Sequence, residues 1–124
     1  MGVTAMGMIF ECDGQEIWST SLGVGNLFLA QIRAIESLLG TKSGVDSFLA
    51  DTVEIDASLF NSFIGNAMQT LESTNNAPLF ALMAGCLEIA IALNTKITDQ
   101  LPDTSEKLMP LLTKAKSVMY TISV

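Results

Sequence analysis

Four carboxylates, Asp46, Asp51, Glu54 and Asp56, crowd into a segment without clear periodicity, around the apolar pair Phe48 and Leu49. Carboxylates at this density can ligate a hard cation, act as an acid–base pair, or present negative charge to a basic partner. The first chemistry is not expected, because Asp51, Glu54 and Asp56 lack the Asp/Asn ladder and central glycine of a calcium-binding EF-hand loop. The second has no supporting cast. The chain contains no histidine, which removes Ser-His-Asp and Cys-His nucleophiles and histidine-containing zinc sites. Its two cysteines, Cys12 and Cys86, cannot build a four-cysteine site. Gly23-Val24-Gly25 lacks the third glycine of a dinucleotide fingerprint and the Lys-Ser/Thr of a phosphate loop. The expectation is therefore a protein without catalytic residues, metal or cofactor. Asp46, Asp51, Glu54 and Asp56 are expected to touch a partner, and Asp56 has a second role open to it as a helix N-cap.

Charge narrows the partner. Thirteen acidic and six basic residues give a net charge of −7, which repels nucleic acid and anionic lipid and favours a basic protein. The imbalance is confined to one part of the chain. Residues 1–90 hold ten acids against Arg33 and Lys42, and residues 91–124 hold three acids against four lysines. Glu88, inside the most apolar run, either faces a pocket or, the preferred reading, lies on an exposed helix edge. Cys12 on a strand and Cys86 in an apolar helix read as reduced fillers. With no basic start or long apolar core in Met1 to Phe10, the expected compartment is the cytoplasm.

These residues must be held by a frame, and its centre is the run Ala77 to Leu93, APLFALMAGCLEIAIAL. Asn76 as N-cap and Pro78 in the first turn start a helix that extends to Ile97. Leu79, Leu82, Met83, Cys86, Leu87, Ala90, Leu93 and Ile97 form a bulky stripe. Ala81, Ala84, Gly85, Glu88, Ala92 and Thr95 form a strip of small residues that another element or a second copy would cover. Leucine at Ala84 or Gly85 is then expected to overpack the fold. The run is at the short limit of the ~20 residues of a membrane span and holds Glu88, so a core helix is preferred and no membrane partner is expected.

Ahead of it, Met6 to Cys12 and Gln15 to Ser19 read as strands joined by Asp13-Gly14, a strong hairpin signal. The ribbon buries Ile9 or Phe10 with Ile17 or Trp18, and Trp18 is read as a core anchor. Ser19 to Asn26 reads as a turn, and a helix runs from Asn26 to its closing Gly40. Thr41 to Asp56 is read as a solvated acidic loop, with Val53 to Ile55 as one possible short strand. A second helix covers Ala57 to Ser73, where Gly65 marks a candidate close crossing. Asp103 and Glu106 resemble a capping box. Pro110 either starts the last helix after a short turn from Thr104 to Met109 or kinks a continuous one. The expected fold is mainly α (α+β): one domain, an N-terminal β-hairpin packed on about four helices around a buried central helix, 77–97.

Trp18, Ser21, Gly23-Val24, Leu27-Phe28, Ser43-Gly44-Val45, Ile55-Asp56, Phe60 and Phe63 together resemble the layout of a family of small bacterial proteins of unknown function. The resemblance covers Trp18 to Phe63 and implies no catalytic residue. In size and charge the chain is also similar to bacterial toxin-immunity proteins. The function expected is a non-enzymatic acidic protein that captures and neutralises a basic toxin or nuclease effector. The alternatives are a homo-oligomeric structural or adaptor protein, using the ribbon edge or the small-residue strip as a homodimer contact, and a mobile-element inhibitor that mimics nucleic-acid charge.

Overall fold

A computed structural model describes residues 7–122, in the order β1 (Gly7–Cys12), β2 (Gln15–Ser21), α1 (Leu22–Leu39), β3 (Thr52–Glu54), α2 (Ala57–Ser73), α3 (Ala77–Thr98) and α4 (Met109–Thr121). The expected first strand residue, Met6, lies outside the described part. The fold is α+β. Buried side chains from the sheet and all four helices form one core cluster.

The hairpin turns where Asp13-Gly14 predicts. Both residues have positive φ, 53° and 80°, the geometry of a type I′ turn whose twist matches that of the strands. The ribbon is not alone: β3 pairs with β1 in parallel and makes a three-stranded sheet ordered β2-β1-β3. The antiparallel register pairs Phe10 with Trp18 and then Glu11 with Glu16, so Ile17 is the extra residue of a bulge. The bulge breaks the in–out alternation. Consecutive Ile17 and Trp18 are therefore both buried beside Phe10, whereas Ile9 is only half-buried. The Trp18 ring stacks on Phe10 at 5.0 Å and meets Phe28 of α1 edge-on at 5.7 Å, which makes it the anchor between sheet and helix.

The expected turn over Ser19 to Asn26 does not exist. β2 runs to Ser21, and the Ser21 hydroxyl accepts from Val24 N at 3.2 Å, so the helix begins at Leu22. A good N-cap overrides the two glycines. Gly25 serves a different need, because a Cβ there would come within 2.5 Å of the Met8 sulfur, and its absence lets α1 lie close on β1. Gly40 ends α1 in the left-handed conformation, as expected of a C′ glycine.

α2 and α3 start on their expected caps, with Asp56 accepting from Leu59 N and Asn76 from Leu79 N, each at 3.0 Å. α3 is the central helix, but its surface divides along its length more than around it. Ala90 to Thr95 are all buried, while Ala81, Leu82 and Gly85 near the start are exposed. Leu82, assigned to the bulky stripe, stands 79% open. Within the small strip Ala92 and Thr95 are buried where α3 passes through the core, Ala84 and Glu88 are half-buried, and Ala81 and Gly85 are exposed. A Cβ on Gly85, or on Gly65 of α2, meets nothing within 4 Å, so neither marks a close crossing. Two helices, α1 and α3, are long and apolar enough to cross a membrane. In α3 the run from Ala90 to Thr95 is enclosed by the fold itself.

The Asp103–Glu106 capping box does not form. Residues 106–108 make one turn of 3₁₀ helix after Ser105 without a side-chain cap, because Ser105 Oγ donates to the Glu72 carboxylate at 2.6 Å instead. Pro110 sits in the first turn of α4, so it starts the last helix and does not kink one. Lys96 joins the layers. Its Nζ donates to Ile17 O of β2 at 2.8 Å and to Ile122 O beyond α4 at 2.7 Å. A lysine thus caps the middle of the β2 edge, one of the ways sheet edges are kept from pairing with another chain. The ribbon edge expected as a dimer contact is engaged inside the fold at that point.

Replacing Lys96 by Met keeps the aliphatic stem but strands two carbonyls, and it should cost ~1–3 kcal/mol in a denaturant melt. Lys114→Met on the exposed face of α4 should change stability by less than ~0.5 kcal/mol. Gly85→Ala, in a helix interior with open space around it, should raise stability by up to ~1 kcal/mol. A loss there would instead put a neighbour against that strip.

Candidate functional site

Thr41 to Asp56 is not a solvated loop. Val45 forms a bridge with Ile55 and Leu49 with Thr52. Leu49 and Thr52 exchange both backbone hydrogen bonds, at 2.9 and 3.1 Å, around Ala50 and Asp51 with φ of 53° and 69°. That is a second tight turn, which feeds β3 into the sheet. The segment is fixed to α1 through Glu36. One oxygen, Oε2, accepts from Ser43 Oγ at 2.6 Å, from Ser43 N at 2.9 Å and from Arg33 Nη1 at 3.1 Å. Arg33 Nη2 donates onward to Asp46 O at 2.8 Å. Ser43 is fully buried, and its hydroxyl also accepts from Val45 N at 3.1 Å. Gly44 follows with φ of 80°, and a Cβ there would stand 2.8 Å from Leu59 Cβ and 2.9 Å from Asp56 O. No side chain fits, which explains why this position is glycine.

The result is an open cleft of about 610 Å³ where the end of the sheet meets α1 and the start of α2. Five carboxylates line it, Asp13, Glu36, Asp46, Glu54 and Asp56, against two cations, Arg33 and Lys42. Of the four acids singled out in the sequence, three therefore come together. Asp51 does not line the cleft: it sits in the tight turn before β3, beside Ile9, while Glu54 pairs with Glu11 at the strand's other end. Three residues of extended chain, about 10 Å, separate them. Asp56 is shared between the cleft and the cap of α2. Glu88 lies elsewhere, half-buried on α3.

Sequence reasoning missed Asp13, Glu36, Arg33 and Lys42. Asp13 read as a turn residue. Arg33 and Glu36 carry the signature of an exposed ion pair one helical turn apart, which gives no sign that both reach a distant loop.

Electrostatics divides the carboxylates. Burial alone would push the Glu36 carboxyl up, but the two hydrogen bonds from Ser43 and the charge of Arg33 outweigh it and hold Glu36 below the ordinary value. Glu54 is displaced the other way, first by lost hydration, then by hydrogen bonding and like charge from Glu11, then by Asp13 and Asp46. Negative charge is thus concentrated here against its own repulsion. Burial, followed by the charges of Asp13, Asp56 and Glu54, also pushes the Cys12 thiol up. Burial pushes Cys86 up to about 12. Both displacements work against the thiolate form. Among the described residues, no three His, Cys, Asp or Glu side chains converge as metal ligands.

The residues that build this cleft, Ser43-Gly44-Val45 and Ile55-Asp56, are also those that carry the family resemblance. A model described as a family of unknown function, DUF6086, matches residues 6–124. The chain belongs to DUF6086. Membership extends the resemblance from Trp18–Phe63 to the helical remainder, including α3 and α4. No curated protein and no solved structure matches this DUF6086 chain.

The opposite displacements of Glu36 and Glu54 predict opposite variants. Glu36 stabilises the fold while ionised, and that contribution is lost as pH falls through its lowered folded value. Glu36→Gln should therefore lower the melting temperature at about pH 7, with the deficit closing only below about pH 4. Ionised Glu54 opposes folding, and the cost disappears as pH falls through its raised value. Glu54→Gln should melt higher than the wild type at about pH 7 and lose that advantage toward about pH 4. Thermal melts from about pH 7 to about pH 3 test both signs.

Proposed function

We propose that this DUF6086 chain is a non-enzymatic binding protein whose acidic cleft captures a basic protein. The observation that carries this reading is the cleft's composition. Five carboxylates face two cations, and Arg33 is already engaged by Glu36 and the Asp46 carbonyl. Excess negative charge in a concave, rigidly backed site attracts a basic side chain and steers the approach of the protein that bears it. The repulsion that displaces Glu54 supports the same reading, because natural proteins accept such local cost where a site has work to do.

The biological role we propose is neutralisation of a bacterial toxin or nuclease effector in the cytoplasm, as an immunity protein does. Mimicry of nucleic-acid charge is less well supported. A duplex mimic needs acids spaced in line along one face, whereas here a hairpin turn, a helix, a loop and a strand end converge on one concavity.

Association kinetics against ionic strength, using the product of an adjacent reading frame as the candidate partner, test the proposal. Asp46→Lys with Glu54→Lys should slow association at least ~10-fold at low salt. Asp51→Lys, outside the cleft, should stay within about twofold of the wild type. An unchanged rate in the double variant, together with a flat salt dependence in the wild type, would remove the cleft from recognition.

A further inference from the structure

Helix α1 carries a face that the described residues leave uncovered. Only Gly25, Phe28, Ile32 and Ile35 of this helix are buried. Away from the core, Val24, Leu27, Gln31, Ala34 and Leu38 are all exposed, and the three large apolar side chains are 47%, 61% and 55% open. These positions succeed one another at steps of three, four, three and four. That is the a/d alternation of a seam at which one helix packs on another, with a single polar residue, Gln31, at its midpoint. The residues beside the seam, Gly23, Ala30 and Ser37, are small and exposed, so a second helix can come close.

Charge indicates what covers the seam. The charged side chains of α1, Arg33 and Glu36, are both tied to the cleft segment through Ser43 and the Asp46 carbonyl, so the seam itself is neutral. On a chain of net charge −7, a neutral apolar face is where two copies approach with least repulsion. A lipid surface is favoured less, because α1 carries no lysine and its arginine, Arg33, is tied to the cleft segment. The seam also suits a two-fold contact. An axis through its middle opposes the larger Val24–Leu27 half of one helix to the Ala34–Leu38 half of the other. It brings the Gln31 amides near each other, where donor and acceptor match. The antiparallel arrangement sets the two helix dipoles head to tail.

We infer that DUF6086 chains of this sequence self-associate through the exposed α1 seam, as a two-fold dimer of antiparallel α1 helices. The inference stands apart from the acidic cleft and does not depend on it. From Val24 to Leu38 the seam runs about 21 Å along the helix. This places the contact among small interfaces, whose association is weak and concentration-dependent.

Sedimentation equilibrium of the whole chain over a range of concentrations tests it. The mass should rise from the monomer's 13.2 kDa toward twice that value. Leu27→Glu should weaken association at least ~10-fold, and Tyr120→Glu, an exposed position on α4, should leave it unchanged. Gln31→Cys should form an intermolecular disulfide under mild oxidation, and Tyr120→Cys should not. The native thiols Cys12 and Cys86 are buried. Monomer mass at every concentration up to ~1 mM would overturn the inference. So would equal dimerisation in Leu27→Glu, or binding of a monomer to phosphatidylcholine vesicles that Leu27→Glu abolishes. Circular dichroism of the variants separates a lost contact from a lost fold.

Discussion

One carboxylate oxygen joins the two halves of the candidate site. Glu36 Oε2 takes three hydrogen bonds, two of them from a single buried serine. Charge-assisted bonds of this kind are the stronger class in proteins. Through them the backbone at Ser43 is held against α1, and Gly44, which cannot carry a side chain, brings the segment over the start of α2. The Val45–Ile55 bridge then leads into β3. The clamp ties this segment to α1, while backbone hydrogen bonds from Asp46 N to Glu54 O at 2.9 Å and from Asp56 N to Gly44 O at 2.8 Å hold Asp46 beside Glu54 and Asp56 in the wall of the cleft.

The clamp works because its supports are rigid. Phe10, Trp18 and Phe28 meet in one aromatic cluster, with centroids 5.0 to 5.7 Å apart, and fix α1 on the sheet. α1 in turn carries Arg33 and Glu36 to the cleft on one side and the seam of Val24, Leu27, Gln31, Ala34 and Leu38 on another. One helix therefore serves the core, the cleft and an open surface at once. Its charged residues are taken up by the second of these tasks, which is why the third face is neutral.

The acidic character of the chain is distributed by the same architecture. Parallel pairing of β1 with β3 sets Glu11 directly beside Glu54, where like charges oppose each other, and the hairpin turn adds Asp13. Other acids aid folding: Asp56, while lining the cleft, also caps α2, and Glu72 accepts from Ser105. The repulsion at the end of the sheet is thus local, and it coincides with the concave part of the surface.

The sequence by itself determined the elements. Asp13-Gly14 specified the turn, Asp56 and Asn76 specified helix starts, Gly40 a helix end, and three- and four-residue spacing specified the helices. Each of these is a local interaction among neighbours in the chain, so it can be read without knowing the fold. The grouping of Asp46, Glu54 and Asp56 was legible for the same reason, being close in sequence. What only tertiary structure decided involves partners far apart in the chain or competition between local signals. Ser21 displaced the glycine turn, the turn at 106–108 began after Ser105 instead of Asp103 with the Ser105 hydroxyl taken by Glu72, and the tight turn before β3 set Asp51 apart from its neighbours. Glu36 met Ser43, and Lys96 met Ile17, across sequence gaps that no periodicity reports. Which parts of α1 and α3 face water was likewise set by where the sheet and the other helices ended, because helical spacing marks an apolar face but does not supply the surface that covers it.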